Sequence, residues 1–299
     1  MDLSIIIVSF NTEELIKDCL NSLKVAITSI KSEVFVVDNN SRDKTTNLIK
    51  KNFSWVKLIV NNHNLGFSKA NNKALKKAKG KYILILNPDT KLMPDTIIKM
   101  INFMNNKPDA AVASCKVELP SGKLDRDCRR LFPTPWRAFT HFSGLSKIFK
   151  GSKVFDQYYI GYLSDNIEQE IDSCVGAFML IRRSAINKVG YFDEDFFFYG
   201  EDLDWCQRFK QAGFKIFYTP ITKIIHYKGA ASGIKKDSQH LSKASIESKK
   251  KAIIESTHAM QLFYQKHYIG KYPRLLTWLI VASIDILKYI RIFKVQFGL

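Results

Sequence analysis

Four short apolar runs, each closing on or followed directly by asparagine or aspartate, constrain this chain more than any other feature. They read SIIIVSF (4–10), EVFVVDNN (33–40), VKLIVNN (56–62) and KYILILNPD (81–89). Runs of this length, rich in isoleucine and valine, suit strands buried on both faces of a sheet. Helical patterns over Glu13–Ile30 and Phe67–Ala78 alternate with them. The alternation predicts βαβ units and an α/β fold with a mainly parallel central sheet flanked by helices. In open sheets of that kind ligands bind outside the carboxyl ends of the strands. Those ends carry Ser9, Asn11 and Thr12, then Asp38, Asn39 and Asn40, then Asn61 and Asn62, then Asn87, Pro88 and Asp89. Any one group is ordinary turn chemistry, because Asn and Asp favour turns. Four in succession on one edge mark a site.

The first turn, SFNTEEL, has no glycine where a dinucleotide-binding fold needs G-x-G-x-x-G, and no Walker A sequence occurs. A net charge of +18 on 299 residues asks for an anionic partner: nucleic acid, a membrane surface or a phosphorylated substrate. Nucleic acid is disfavoured, because the lysines are spread over many segments and no zinc-finger, homeodomain or RNP signature appears. The cysteines (Cys19, Cys115, Cys128, Cys174, Cys206) are odd in number and form no C-x-x-C. They predict a reduced protein of the cytoplasm without a cysteine metal site. No basic segment precedes the first apolar run, which predicts no secretory leader.

A second constraint lies in FFFYGEDLDWCQRFKQAG (196–213). Leu203, Cys206, Phe209 and Ala212 recur at helical spacing and Gly213 is a natural stop, so Glu201, Asp202 and Asp204 fall in a first turn. Acids there complement the helix dipole and commonly cap free N–H groups. The other use is chemical, since a carboxylate within hydrogen-bond reach can take the proton of an attacking hydroxyl. His226 ends the apolar run ITKIIH and opens HYKGAAS (226–232); alone it is an ordinary strand-end histidine.

Taken in order, SIIIVSFNTEELIKDCLNSL, VFVVDNNSRDKT, NNHNLGFSKANNKAL, ILILNPDT, the long run from CVGAFML to FKIFYTP, and HYKGAAS form a specific set. The set resembles family 2 inverting glycosyltransferases of the GT-A fold, close to bacterial rhamnosyltransferases of surface-polysaccharide synthesis. The likeness spans Leu3 to Ser232. It implies a GT-A (nucleotide-diphospho-sugar transferase) domain over residues 1–234, with a nucleotide-sugar half (1–115) and an acceptor-binding, catalytic half (116–234). A C-terminal helical extension (235–299) follows. By this resemblance Asp38 reads the nucleobase, Ser9 and Asn11 line the same pocket, and Gly66, Phe67 and Asn71 shape the nucleotide side. The family's D-x-D stands here as Asn87-Pro88-Asp89, with one acid of the two. Asp89 is then the metal-side carboxylate, and His226 is the second protein ligand of Mg²⁺ or Mn²⁺ or a direct diphosphate contact. Gly229, Ser232 and Gly233 would offer backbone N–H groups to phosphate, and Lys228 positive charge.

The resemblance also assigns the base to Asp202, with Glu201 and Asp204 as positioning or capping residues. Trp205 and the preceding aromatics form a platform for the acceptor sugar, and Gly176 and Ala177 allow its close approach. The irregular stretch from Lys116 to Asp172, with Arg129, Arg130, Trp136 and Arg137, is where acceptor specificity would sit. The implied activity is metal-assisted, inverting transfer of L-rhamnose from dTDP-β-L-rhamnose to a lipid-diphosphate-linked glycan. A UDP-hexose donor is the alternative within the class. The alternative outside it is a non-catalytic nucleotide- or nucleic-acid-binding protein whose acids after Gly200 only cap. The last segment, KYPRLLTWLIVASIDILKYIRIFKVQFGL (271–299), is interrupted by Asp285 and Lys288 well short of the ~20 apolar residues of a span. It reads as a helix lying in the plane of an anionic membrane, at the inner face of the plasma membrane. Packing on the catalytic domain or in a homodimer would use the same amphipathicity.

Overall fold

The computed structural model describes residues 1–228 and 245–297. The chain opens with β1 (Leu3–Ser9), α1 (Glu13–Ala26), β2 (Ser32–Asp38), α2 (Thr45–Asn52), β3 (Val56–Val60), α3 (Gly66–Leu75) and β4 (Tyr82–Leu86). The four strands are parallel in the order β3-β2-β1-β4. β1, β2 and β4 are buried at almost every position, as continuous apolar runs require, while β3 forms the partly exposed edge. α1 ends four residues before the Ile30 that its periodicity suggests. Thr28 Oγ1 donates to the carbonyls of Lys24 and Val25, which diverts acceptors that a further turn would need.

The second half supplies β5 (Thr90–Leu92), α4 (Thr96–Asn105), β6 (Ala110–Glu118), α5 (Pro135–Phe142), α6 (Leu145–Ile148) and β7 (Gln169–Ile171). It continues with β8 (Phe178–Arg182), α7 (Arg183–Val189), α8 (Glu201–Gln211) and β9 (Lys215–His226). Among the described residues one nine-stranded sheet runs β3-β2-β1-β4-β8-β6-β9-β5, with β7 also on β9. β8 is antiparallel to both its neighbours, and β5 and β7 are antiparallel to β9. The α/β architecture is the one the strand runs predict. Strand direction in the second half left no mark in the sequence.

α9 (Ile246–Tyr268) and α10 (Arg274–Phe297) fold back on each other. Lys250 bonds Gln296, Gln261 bonds Asp285, and Tyr264 meets Thr277. The polar residues of α10 at 277 and 285 therefore face α9. α9 buries Ile253, Ala259, Phe263, Tyr264 and Tyr268, and full burial of a Phe-sized side chain stabilises by roughly 1.5–3 kcal/mol. On α10, Leu275 is 71% exposed, and Trp278 and Tyr289 are each 66% exposed. No helix among the described residues is long and apolar enough to cross a membrane. All five cysteines are free and buried.

Candidate active site

The parallel register does the first part of the assembly. Ser9 and Asp38 are neighbours across β1 and β2, so Ser9 Oγ donates to Asp38 Oδ2 at 3.1 Å. Asp38 also accepts from Ser41 N at 2.9 Å and from Ser41 Oγ at 2.5 Å. Asn11 adopts a left-handed φ of 53°, which Asn tolerates better than most residues. Its Oδ1 accepts from Arg42 N at 2.8 Å. Behind them Lys73 Nζ donates to Asn61, Asn61 to Asn39, and Asn39 to the carbonyl of Gly66. The polar strand ends thus form one connected scaffold.

Gly66 is fixed by sterics. Its φ is +80°, and an added Cβ would stand 2.4 Å from the Phe197 carbonyl oxygen. That carbonyl accepts from Phe67 N at 2.7 Å, fastening α3 to the loop ahead of α8. Asn71 Nδ2 donates to the Phe67 carbonyl, and its Oδ1 is buried without a partner.

A cavity of about 2120 Å³ opens at this edge. Of the nucleotide-side residues, Asn11, Gly66, Phe67, Asn87 and Asp89 line it; Ser9, Asp38 and Asn71 do not. Gly176 lines it, and a Cβ there would press on the Phe67 ring at 3.3 Å. Ala177 does not reach it; its carbonyl instead accepts from Asn87 N at 3.2 Å.

Asp89 and His226 meet because β5 pairs with the end of β9, Thr90 opposite His226. His226 Nε2 lies 3.2 Å from Asp89 Oδ1, and Nδ1 lies 3.0 Å from Asp125 Oδ2. Burial alone would lower the imidazole pKa, but Asp89 and Asp125 overcome that and raise it to about 9. A divalent cation fits this pair if it displaces the Nε2 proton that the two carboxylates otherwise hold there. Asp89 Oδ1 is buried yet accepts no well-formed hydrogen bond. The 3.2 Å gap is close to the roughly 3 Å between adjacent ligands of an octahedral cation. Asp125 on the far nitrogen is the usual carboxylate support of a ligating histidine. Among the described residues no group of three or more His, Cys, Asp or Glu could hold a metal, so the remaining ligands would be diphosphate oxygens and water.

From His226 a chain of alternating charges crosses the cavity wall. Asp125 bonds Lys228, Lys228 bonds Asp127, and Asp127 Oδ1 stands 3.9 Å from Arg130. Arg130 Nη2 then donates to Asp202 Oδ2 at 2.7 Å. Asp202 Oδ1 accepts from Leu203 N at 2.7 Å. A carboxylate has about four lone-pair sites, so room remains for an incoming hydroxyl.

The three acids at the start of α8 divide the work. Gly200, at φ +80°, is the N-cap and has no side chain to cap with, so the first-turn Leu203 N–H is met by Asp202 instead. Asp202 and Glu201 line the cavity. Burial, then the charge of Asp202, pushes Glu201 up to about 8, and its Oε2 has no partner. Asp204 turns away to His267 Nε2 and Arg208 Nε, both at 2.8 Å, and locks α8 to α9.

Trp205 corrects the sequence reading. It is fully buried, donates Nε1–H to the Gly190 carbonyl at 2.9 Å and packs on Phe192. It is a core residue; of the aromatics that precede Gly200, Phe197, Phe198 and Tyr199 line the cavity. Among the arginines, Arg129 is spent on Ser164, Gln169 and Leu163, and Arg137 on Asp172, Gln157 and Phe132. Gly229, Ser232 and Gly233 lie outside the described residues. Asp125 and Asp127 escaped sequence reasoning; the acid–base alternation of LDRDCRR was their one signal.

Comparisons with known proteins bear on the family and the fold. Residues 4–190 match the family profile described as Glycosyl transferase family 2. The chain is 30% identical to rhamnosyltransferase WbbL of Escherichia coli K12, over 75% of this chain and 82% of that protein. It is 25% identical to the N-acetylglucosaminyl-diphospho-decaprenol L-rhamnosyltransferase of Mycobacterium tuberculosis, covering 77% and 78%. Among solved structures, the mannosyltransferase PcManGT of Pyrobaculum calidifontis, in complex with GDP-Man and Mn²⁺, superposes with a TM-score of 0.53 at 15% identity. That superposition covers 97% of this chain and 86% of that one, and shows a shared GT-A fold.

Proposed function

The chain belongs to glycosyl transferase family 2, and on that premise we propose that it transfers a sugar, with inversion, from a nucleotide-diphosphate donor to a lipid-diphosphate-linked glycan. L-Rhamnose from dTDP-β-L-rhamnose is the donor we favour, because both curated relatives above are named as rhamnosyltransferases. The lipid-diphosphate acceptor follows the name of the mycobacterial relative. The product would enter a bacterial surface polysaccharide.

One observation carries the reading: Asp202 and the Asp89–His226 pair line the same cavity. Sugar transfer needs a base on the acceptor side and charge relief on the leaving diphosphate. Asp202 is our base. It takes the hydroxyl proton as the acceptor oxygen bonds the anomeric carbon and the sugar–phosphate bond breaks. Arg130 holds its carboxylate in place. Glu201, protonated at neutral pH, can donate a hydrogen bond to a sugar hydroxyl beside it. Asn11 meets the nucleobase end, set in place by Ser9 and Asp38 behind it, and Gly66, Phe67 and Asn87 shape the path to the diphosphate with Asn71 behind them. Asp89 and His226 would hold Mg²⁺ or Mn²⁺, which neutralises charge on the departing diphosphate. Gly176 leaves space for the acceptor.

The exposed aromatic and leucine side chains of α10 form the face we assign to a membrane surface, making the protein peripheral. A homodimer across the same face would appear instead as a doubled mass in solution. The test of function is a donor panel: dTDP-rhamnose, UDP-glucose, UDP-N-acetylglucosamine and GDP-mannose, with and without EDTA. Hydrolysis or transfer confined to dTDP-rhamnose and restored by Mg²⁺ or Mn²⁺ is the expected outcome. Preference for a UDP-sugar would replace the donor. No turnover of any donor by folded protein would leave a binding protein.

A further inference from the structure

We propose that the groove between α5 and α10 holds the long hydrocarbon chain of the acceptor lipid, with its polar end at Asp202. The proposal rests on Asp202 as the place of transfer. The cavity volume of about 2120 Å³ is at least twice the roughly 300–1,000 Å³ of a small-ligand site, so it has room beyond a nucleotide-sugar. Its two ends differ in chemistry. One carries Asp89, His226, Arg130 and Asp202. The other is walled by Trp136, Phe139 and Phe142 of α5 and by Leu276, Ile280, Leu287 and Ile290 of α10.

With Leu279, Ile284 and Ile286, which also line the cavity, the α10 residues cover a broad helical face beside the one that meets α9. From Leu276 to Ile290 the helix rises about 21 Å at 1.5 Å per residue. Over that length the α10 wall offers one hydroxyl, Ser283; the cavity's other polar lining near the C-terminal helices (Ser248, Lys251, Glu255, Ser256) belongs to α9, not to the α5 and α10 walls. A sugar lying there would leave its own hydroxyls unpaired, which is costly; a hydrocarbon chain would not. On α5, Phe139 is 57% exposed and Trp136 is 44% exposed, a patch of the kind that marks an interaction surface. The Arg291 guanidinium stands 5.7 Å from the Phe142 ring, so the two walls come together toward the carboxyl end of α10. The groove is continuous with the carboxylate that must meet the acceptor hydroxyl. Its occupant is therefore covalently part of the acceptor, which a flat bilayer or a partner helix is not.

The test uses full-length protein in detergent micelles, with undecaprenyl diphosphate and geranyl diphosphate as probes. The long chain leaves a micelle rather than water, so its gain per methylene is well below the roughly fourfold of transfer from water, and wild type should favour it by about tenfold or more. Ser283→Trp fills the groove from an exposed position and should weaken the long-chain probe at least tenfold, with little change for the short one. Phe139→Asp, on the opposite wall, should do the same, so misfolding of either variant leaves the other to decide. Ile269→Ser, exposed in the turn between α9 and α10 and outside the cavity lining, should keep the preference. Equal affinity for both probes in wild type would overturn the proposal, as would an undiminished preference in the folded groove variants. The donor panel is read separately: if no donor turns over, the reading of Asp202 fails, whatever the prenyl probes show.

Discussion

The two halves of the sheet build their shares of the site by different means. In the first half, β1, β2 and β4 end within three residues of Asn11, Asp38 and Asp89, and parallel register alone sets Ser9 beside Asp38. In the second half the charged side chains are held by partners far away in sequence: Arg130 for Asp202, Asp125 for His226, His267 for Asp204. The first kind of site is a property of strand ends. The second exists only after tertiary packing is complete. Damage to one half should therefore leave the other measurable.

The largest effect expected is on turnover. Asp202→Asn keeps the shape of the side chain but cannot take the acceptor proton, and transfer should fall by ~10²–10⁴. Donor affinity, set by the first half, should stay within a factor of about two to three of wild type. Near-normal turnover would reduce Asp202 to a partner of Arg130. Loss of donor affinity on the same scale would mean the halves are not separable.

Phe263→Ala tests the packing claim. Phe263 is buried beneath the cavity, beside His267 and Phe132, and truncation of a buried phenylalanine typically costs about 3–5 kcal/mol. Urea unfolding should report that loss. In the fraction that remains folded, transfer should suffer more than nucleotide-sugar binding. A cost below about 1 kcal/mol would show that α9 rests on the catalytic half without supporting it.

This difference between the halves also explains what could be read from the sequence. The runs ending at Asp38 and Asp89 announced both strand and site, since a buried strand must be apolar and its polar end must be at the edge. The carboxylates of Glu201, Asp202 and Asp204 were visible as a cluster, but sequence could not say that one faces Arg130, one has no partner and one turns to α9. Trp205 was misread for the same reason: on a helix start, one residue's shift in direction separates cavity from core. Asp125 caps, and Asp127 forms part of, a single turn of 3-10 helix (Arg126–Cys128), too short for any periodicity to single them out.

Asp125→Asn sharpens the comparison at the one place where the halves touch. Asp89 comes from the strand-end half and His226 from the other, and Asp125 orients His226 without reaching the proposed cation. Loss of such a support usually costs 10–100-fold in metal affinity. Titration of Mn²⁺ in the presence of nucleotide diphosphate, followed by paramagnetic resonance, should show a shift of that size. Unchanged Mn²⁺ affinity would mean that Asp89 and the diphosphate hold the cation without His226.

The smallest effect is a slope. Glu201 is pushed up to about 8, first by burial and then by Asp202. The folded chain therefore keeps a proton that the unfolded chain has lost between about pH 4.5 and pH 8. The stability linked to that proton is complete below about pH 4.5 and is lost as pH rises through about 8. One such proton gives a slope of at most ~1.4 kcal/mol per pH unit. Glu201→Gln keeps the shape and cannot ionise, so its unfolding free energy should fall less than wild type's between about pH 6 and about pH 8. Parallel curves for the two proteins would show that Glu201 is ionised and paired in solution. The two carboxylates lining the cavity would then share one role, and the division between an acid that keeps its proton and a base that lacks one would be lost.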